Sequence, residues 1–558
     1  MLAWIVTHAV FTALLAAISL GVGRAIVNRW LPASPLELAI SAALGLGILG
    51  EALFLLAAAG LLTRVAVFLI VAIAAIVAIF GLRGARPRLP WIALGALPSF
   101  VLALYPPTGF DATMYHLPFA RLFVENHRLA FADTLRFPLF PQHGEVLFAG
   151  AMLVMDDVAA QLTQWLALVI TTMAIAAIAR ELAGERAGSF AVALWIGTPL
   201  ALYLGANAYI DVSLAMFVTL AFAAWLEWKR TAHLGFALLA GAFAGFAAST
   251  KYHGLFFIVV LFVAIAWRNR RAAAAFALVA MLIAAPWYVR IWAGTGNPLF
   301  PYFSAIFGRH EWQTNIDKRM EATAAHPLAA PAIVDPVRRA ILDRIAEGSA
   351  PHSPWLLLLS PFAVLAAIRE RRLRFPLAMA LFYALVVSPL DWRFMIAAVP
   401  IAAVGIAVGL KDLRYAAIVT LLLALPGIAW TTLLLAKYGP IPSTQAQRDA
   451  FLARRIAVYD ALAFLRRDRP VVYILDAEYA AYYSPARCLG EHYGPYRYAK
   501  LRPLLADPPR LARQLNSWGV HVLVIDREKD RFAPNAHFRR VFSGGRAEAF
   551  EVILSPSS

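Results

Sequence analysis

Apolar runs long enough to cross a bilayer recur along this chain as far as Lys437, and that recurrence leaves few folds open. A spanning helix needs roughly 20 apolar residues, and by that measure about fourteen segments qualify. They lie near 2–22, 36–60, 64–82, 90–105, 158–179, 187–205, 210–228, 232–249, 254–267, 272–292, 354–368, 375–390, 394–410 and 415–436. Backbone groups in hydrocarbon must be satisfied within the segment, so such runs fold as helices. The chain is 61% hydrophobic and only 15% charged over 558 residues, with a mean hydropathy of +0.68. These values fit a polytopic α-helical membrane protein.

The net charge of +17, from 50 Lys and Arg against 33 Asp and Glu, does not signal nucleic acid. The basic residues sit in short clusters between apolar runs, as loop charges do. With the N-terminus outside, the inner loops carry Arg24 and Arg29; Arg83, Arg86 and Arg88; Arg180 and Arg186; Lys229 and Arg230. They continue with Arg268, Arg270 and Arg271; Arg369, Arg371, Arg372 and Arg374; Lys411 and Arg414. Short outer loops hold only Arg64, Lys251 and Arg393. This asymmetry assigns Asp111, the segment 293–353 and everything after Lys437 to the extracytoplasmic side. The start, Met1 to Leu20, lacks a basic n-region and reads as a first membrane helix rather than a cleaved signal. Cys488 is the sole cysteine, which excludes an intrachain disulfide.

Four regions follow: membrane helices over 1–105, an outer loop over 106–157, a membrane core over 158–436, and a domain over 437–558. In the outer loop, Phe119, Leu122, Phe123 and Leu129 recur near helical spacing, as in a helix lying in the interface plane. Within the core, 293–353 is a long loop with a charged helix carrying Asp317, Lys318, Arg319 and Glu321. Beyond Lys437 helix and strand alternate. Val458–Leu465 and Pro509–Trp518 read as helices, and Pro470–Leu475, Val520–Ile525 and Ala547–Leu554 as strands, which gives a small α/β domain.

The candidate chemistry lies where apolar runs meet the outer surface. Asp111 follows Tyr105-Pro106-Pro107 at once, with Tyr115 and His116 one turn further on. A carboxylate at a watery membrane mouth can take a proton from a hydroxyl, and it can equally cap the helix that follows. Asp211 sits at a second outer helix end. Two such acids can hold a divalent cation or orient an acceptor. Lys251 and His253 form a third outer turn, and Arg290 and Arg393 supply two more cations. Lys251, Arg290 and Arg393 suit a phosphate-bearing lipid, or else snorkel to headgroups. Glu51, inside an apolar run, is an intramembrane acid without an evident partner. Asp156 and Asp157 read as a solvated helix start, and Trp91, Trp287, Trp355 and Trp392 as interfacial anchors.

Phe110-Asp111 followed by Tyr115-His116-Leu117-Pro118 resembles the first outer loop of GT-C glycosyltransferases. The subset is the bacterial one related to protein O-mannosyltransferases and the lipid A aminoarabinose transferase. Further matches follow in order: Tyr209-Ile210-Asp211, Ser249 to Gly254, Pro286 to Arg290 with Gly296-Asn297-Pro298, and Arg393-Phe394. The resemblance implies a bacterial inner-membrane enzyme. It would move a sugar from a polyprenyl-phosphate carrier to an extracytoplasmic glycan, lipid or protein. Asp111 would be the base, Asp211 would support the acceptor or a metal, and Lys251, Arg290 and Arg393 would bind the carrier phosphate. In two respects the chain departs from these relatives: about three extra helices precede the loop, and Ala112 stands where many carry a second acid.

Three rivals share the composition. A lipid-linked sugar transporter or flippase would place interrupted helices and polar groups near the midplane, whereas here they lie at outer helix ends. A ligase or polymerase using a diphosphate carrier needs the cations but not Asp111. A scaffold whose C-terminal domain binds partners leaves the outer charges without a role.

Overall fold

The computed structural model describes residues 1–85, 90–135, 138–308, 340–341, 344–346, 349–387, 390–485, 487–490 and 497–553. Arg86, Arg88 and the expected charged helix around Asp317 to Glu321 lie outside the described residues.

The apolar runs become helices: α1 (Leu2–Trp30), α2 (Glu37–Ala58), α3 (Arg64–Gly81), α4 (Leu97–Ala103), α5 (Leu117–Asn126), α6 (His143–Val154) and α7 (Asp157–Ala183). There follow α8 (Glu185–Ile196), α9 (Pro199–Gly205), α10 (Asp211–Thr231), α11 (Leu234–Thr250), α12 (Gly254–Ala266) and α13 (Arg270–Thr295). Helices Ser360–Arg369, Arg374–Val387, Val399–Gly409 and Ala416–Tyr438 complete the helical body. Every expected apolar segment has a helical counterpart. Among the described residues, seven helices are long and apolar enough to cross a membrane, and a bent pair makes an eighth.

That pair is α8 and α9, expected as one helix over 187–205 and bent by 72°. Pro199 opens α9 and cannot donate a hydrogen bond back across the break. Gly197 lets helix Ala416–Tyr438 approach there, since a Cβ on it would lie 1.9 Å from Leu423 O. Segments 90–105 and 394–410 likewise begin as 3-10 turns, Trp91–Ala96 and Trp392–Ala397, before turning α-helical. Side-chain caps start others: Thr63 accepts from Ala66 N, Asp156 from Ala159 N and Asn269 from Ala272 N.

Burial grades across the bundle. Helix α10 is enclosed along almost its whole length by α7, α11 and their neighbours. Helix α3 instead leaves Val65, Leu69, Ile73 and Ile76 exposed, the face that lipid would cover. Three expectations change. The apolar face of α5 is buried in protein, with Phe119 and Phe123 fully enclosed, so it is not left for the interface. Trp287 is fully buried against Phe54, and Trp392 is nearly so, which takes both out of an anchoring role. Asp156 and Asp157 are engaged rather than solvated: Asp156 meets His8 Nε2 at 3.1 Å and Asp157 accepts from Arg448 at 2.8 Å.

After the last long helix comes a five-stranded sheet ordered β2-β1-β3-β5-β4. The strands are β1 (Val472–Leu475), β2 (Cys488–Leu489), β3 (Val522–Asp526), β4 (Phe538–Gly544) and β5 (Ala547–Val552). β2, β1 and β3 run parallel, while β5 is antiparallel to β3 and to β4. Strand β4 escapes a reading by hydrophobic alternation because it is an edge strand whose Arg539, Arg540 and Ser543 break the pattern.

This sheet unit grips the outer loop. Arg121 donates to the carbonyls of Tyr482 (2.6 Å) and Ser484 (3.1 Å). The Tyr483 hydroxyl donates to Pro107 O at 2.5 Å, and the Tyr105 hydroxyl donates to Gly439 O. Phe110, next to Asp111, stacks on Tyr479 with ring centres 5.9 Å apart.

Candidate active site

Asp111 opens the outer loop's helix, and the next five residues, Ala112–His116, form a π turn. In an α-helix, residues five apart diverge by roughly 140°. The wider π repeat, with its i to i+5 hydrogen bond, brings Asp111 and His116 back toward one face. Tyr115 and His116 then both line a cavity of about 90 Å³, with Lys251, Tyr252, His253, Tyr302 and Arg393 on its other walls.

Asp111 and Asp211 converge behind it on the two cations of its wall. Arg393 Nη2 donates to Asp111 Oδ2 at 2.6 Å, and its Nε lies 3.8 Å from Asp211 Oδ2. Lys251 Nζ donates to Asp211 Oδ1 at 2.8 Å. These four residues span 282 positions of sequence between Asp111 and Arg393. They come together because each ends or begins a helix at the same level of the bundle: Asp211 starts α10, Lys251 follows α11, and Arg393 lies in the turn before Val399–Gly409. Tyr209 ties the group: its hydroxyl accepts from Asp111 N at 3.2 Å, and the Arg393 guanidinium lies 5.1 Å from its ring centre.

Burial alone disfavours the charged form of these cations. For Arg393 it is outweighed by Asp111 and Asp211, which hold the guanidinium charged. Burial also pulls the Lys251 ammonium below its usual range, against the opposing pull of Asp211. His253 is pushed down to about 3 by burial and by the neighbouring Lys251, so it is a neutral hydrogen-bonding group, in contact with the Tyr383 hydroxyl at 3.2 Å.

Arg290 does not join Lys251 and Arg393. From α13 it donates to Gln142 Oε1 (2.6 Å) and Ala130 O (2.7 Å), which hold it against the far side of the outer loop. There it belongs to a second buried polar group. His116 Nδ1 lies 2.5 Å from Glu145 Oε1, and His143 Nε2 lies 3.8 Å from Glu51 Oε1, close but beyond hydrogen-bond reach. The polar turn before α6 signalled this group only as Gln142-His143-Gly144-Glu145, an acid heading an apolar run.

The carboxylates of Asp111 and Asp211 have their charge met by Arg393 and Lys251, so a divalent cation between them would have to displace both. No cluster of three or more His, Cys, Asp or Glu suited to a metal occurs among the described residues. As it stands, the donor set is one of acids paired with cations.

Below the cavity, helices Ser360–Arg369, Arg374–Val387 and Val399–Gly409 enclose an apolar groove of about 610 Å³. Arg374 lines it where one of these helices begins, and Met395, two residues from Arg393, lines it near the charged group. Leu357, Val364 and Leu381 on its walls are exposed.

Comparison with known proteins adds to this geometry. Residues 146–292 match the family described as dolichyl-phosphate-mannose-protein mannosyltransferase. Residues 447–551 match a second family, described only as SF2091/S2213. An uncharacterized protein of Shigella flexneri is 27% identical over 183 residues, covering 30% of this chain and 89% of that protein. The crystal structure of ArnT from Cupriavidus metallidurans bound to undecaprenyl phosphate matches with a TM-score of 0.52 at 15% identity, over 83% of this chain and 97% of that one. Its apo form matches with a TM-score of 0.50 over 82% and 97%. Residues 146–292 are thus similar to the mannosyltransferase family, and the chain shares the fold of ArnT.

Proposed function

We propose that this enzyme transfers a sugar from a polyprenyl-phosphate carrier to a hydroxyl on an extracytoplasmic glycan, lipid or protein. The observation that carries this reading is the convergence of Asp111 and Asp211 on Lys251 and Arg393, two cations that line one cavity, with an apolar groove that reaches Met395, two residues from Arg393.

The groove suits the prenyl chain, which places the carrier phosphate beside Arg393 and Lys251. Phosphate needs little help from an acid as a leaving group when cations meet its charge. Asp111 takes the proton of the acceptor hydroxyl as its oxygen attacks the sugar's C1. Asp211 keeps Lys251 aimed at the cavity. The basic clusters on the opposite loops support an extracytoplasmic site in a bacterial inner membrane. The sheet unit at 472–552, docked beside Phe110 and Pro107, suits a cover over the acceptor side. The ligand of the ArnT crystal supports the carrier class.

The test uses purified protein in lipid with radiolabelled polyprenyl-phosphate hexoses and pentoses and a membrane extract as acceptor. Wild type transfers label, and Asp111→Asn loses at least about a hundredfold, the scale of general-base catalysis. Equal transfer by both removes Asp111 from the mechanism.

A further inference from the structure

The second buried polar group contains a pair that the proposed chemistry leaves unused. His116 is 1% exposed and Glu145 is fully buried. Nδ1 of the ring lies 2.5 Å from Glu145 Oε1. A carboxylate accepts, so with Glu145 ionised the proton of that contact sits on Nδ1 and Nε2 carries the lone pair. The ring lines the same cavity as Lys251 and Arg393, which leaves Nε2 as the polar atom it offers there. A buried carboxylate is costly unless a cation faces it. Among the described residues Glu145 Oε2 has no hydrogen-bond partner, and Arg290 acts on Glu145 through its charge. Glu145 is therefore best compensated when His116 becomes an imidazolium.

Resting on the transfer reaction proposed above, we infer that His116 and Glu145 form a proton-carrying pair: His116 Nε2 receives the proton that leaves the acceptor hydroxyl. The acceptor O–H bond breaks as its oxygen bonds to the sugar's C1. The C1–O bond to phosphate breaks, and its electron pair departs on the phosphate. The proton passes to the Asp111 carboxylate and then to Nε2, five residues on along the π turn, and reaches solvent before the next turnover. His116 is a catalytic residue in this scheme and Glu145 a positioning residue that fixes the tautomer and stabilises the imidazolium, the logic of a carboxylate behind a catalytic histidine. The groups facing the pair are Tyr115 on its own helix, Tyr209 before α10, Arg290 on α13, and Lys251, His253 and Arg393 across the cavity. Of these, Arg393 and Lys251 already hold acids, so the histidine is the neutral base on the wall with a carboxylate behind it.

The test compares full-length wild type, Glu145→Gln, Glu145→Asp, His116→Gln and Asp111→Asn in lipid nanodiscs. The substrates are undecaprenyl-phosphate-linked hexoses and pentoses with a membrane-lipid extract, and kcat and donor KM are read from about pH 5 to 9, the range where histidine titrates. Glu145→Gln should lower kcat at least about a hundredfold with donor KM within about twofold, and should erase the acid limb of the kcat profile. Glu145→Asp should regain about tenfold or more of that loss, and a protein carrying both Glu145→Gln and His116→Gln should be no worse than either single variant, as for residues acting as a unit. Should Glu145→Gln and His116→Gln aggregate, the Glu145→Asp profile decides, and an unchanged acid limb there overturns the pair. The pair is also overturned if folded Glu145→Gln keeps kcat within about threefold with the same pH profile, or if only KM rises. If Asp111→Asn retains transfer, or wild type uses none of the donors, the reaction reading fails and the inference fails with it.

Discussion

Two buried polar groups sit in this bundle, and they are built differently. Asp111, Asp211, Lys251 and Arg393 form a closed set of two acids and two cations, every one within 4 Å of an opposite charge. Glu51, Glu145, His116, His143 and Arg290 form an open one: two acids face histidines, and Arg290 spends its hydrogen bonds on Gln142 and a backbone carbonyl. The charge of the first group is fixed by residue type, whereas that of the second depends on where protons reside. A fixed set suits holding a phosphate in register, and a protonation-dependent set suits moving a proton past it.

The sharpest way to break this contrast is Arg393→Ala. It leaves Asp111 without its guanidinium and Asp211 with Lys251 alone, and breaking one side of a buried pair costs about 3–5 kcal/mol. We expect thermal unfolding in detergent at a markedly lower temperature and no measurable sugar transfer. Arg393→Lys keeps the charge but loses the planar fork, and should fall between. An Arg393→Ala protein as stable as wild type would mean that the closed set is not a unit.

A smaller effect is expected at Lys251. Arg393 also approaches Asp211, so Lys251→Met leaves that acid partly compensated and should cost about 1.5–3 kcal/mol, the range for a hydrogen bond to a charged group. Asp211→Asn should cost a similar amount. The double variant should cost less than the sum by at least about 0.5 kcal/mol, the coupling that residues in contact show. Strict additivity in unfolding measurements would separate Lys251 from the set.

The helical body was legible because hydrocarbon permits little else: every long apolar run became a helix, and the misplaced boundaries fell at Pro199 and at the 3-10 turns beginning with Trp91 and Trp392. Asp111, Asp211, Lys251 and Arg393 were legible because each sets a charge at the border of an apolar run. Arg290 met the same criterion and lies elsewhere, since depth in the membrane says nothing about which face of a helix a side chain occupies. The pairing of His116 with Glu145 was hidden by a separation of 29 positions, and by a π turn that no helical periodicity announces. Strand β4 and the docking of Arg121 on Tyr482 were invisible for a related reason, because both depend on partners distant in sequence.

The two groups can also be pressed separately through glycines. A Cβ on Gly109 would lie 2.7 Å from Tyr209 Cε2 and 2.9 Å from Asn207 Oδ1, beside the closed set. A Cβ on Gly50 would lie 2.3 Å from His143 Nε2 and 2.6 Å from its Cε1, in the open one. Each alanine overpacks a filled site and should cost about 1–3 kcal/mol. Their activities should part. Gly109→Ala shifts the ring that anchors Asp111 and Arg393, and a misplacement near 1 Å costs on the order of a hundredfold in rate. Gly50→Ala pushes on His143, two residues from Glu145 and not among the residues that line the cavity, so donor KM should hold while kcat falls by about tenfold or less. Equal losses of kcat at equal stability would show that the two groups move as one body, and the distinction between a fixed charge set and a proton-carrying one would lose its structural basis.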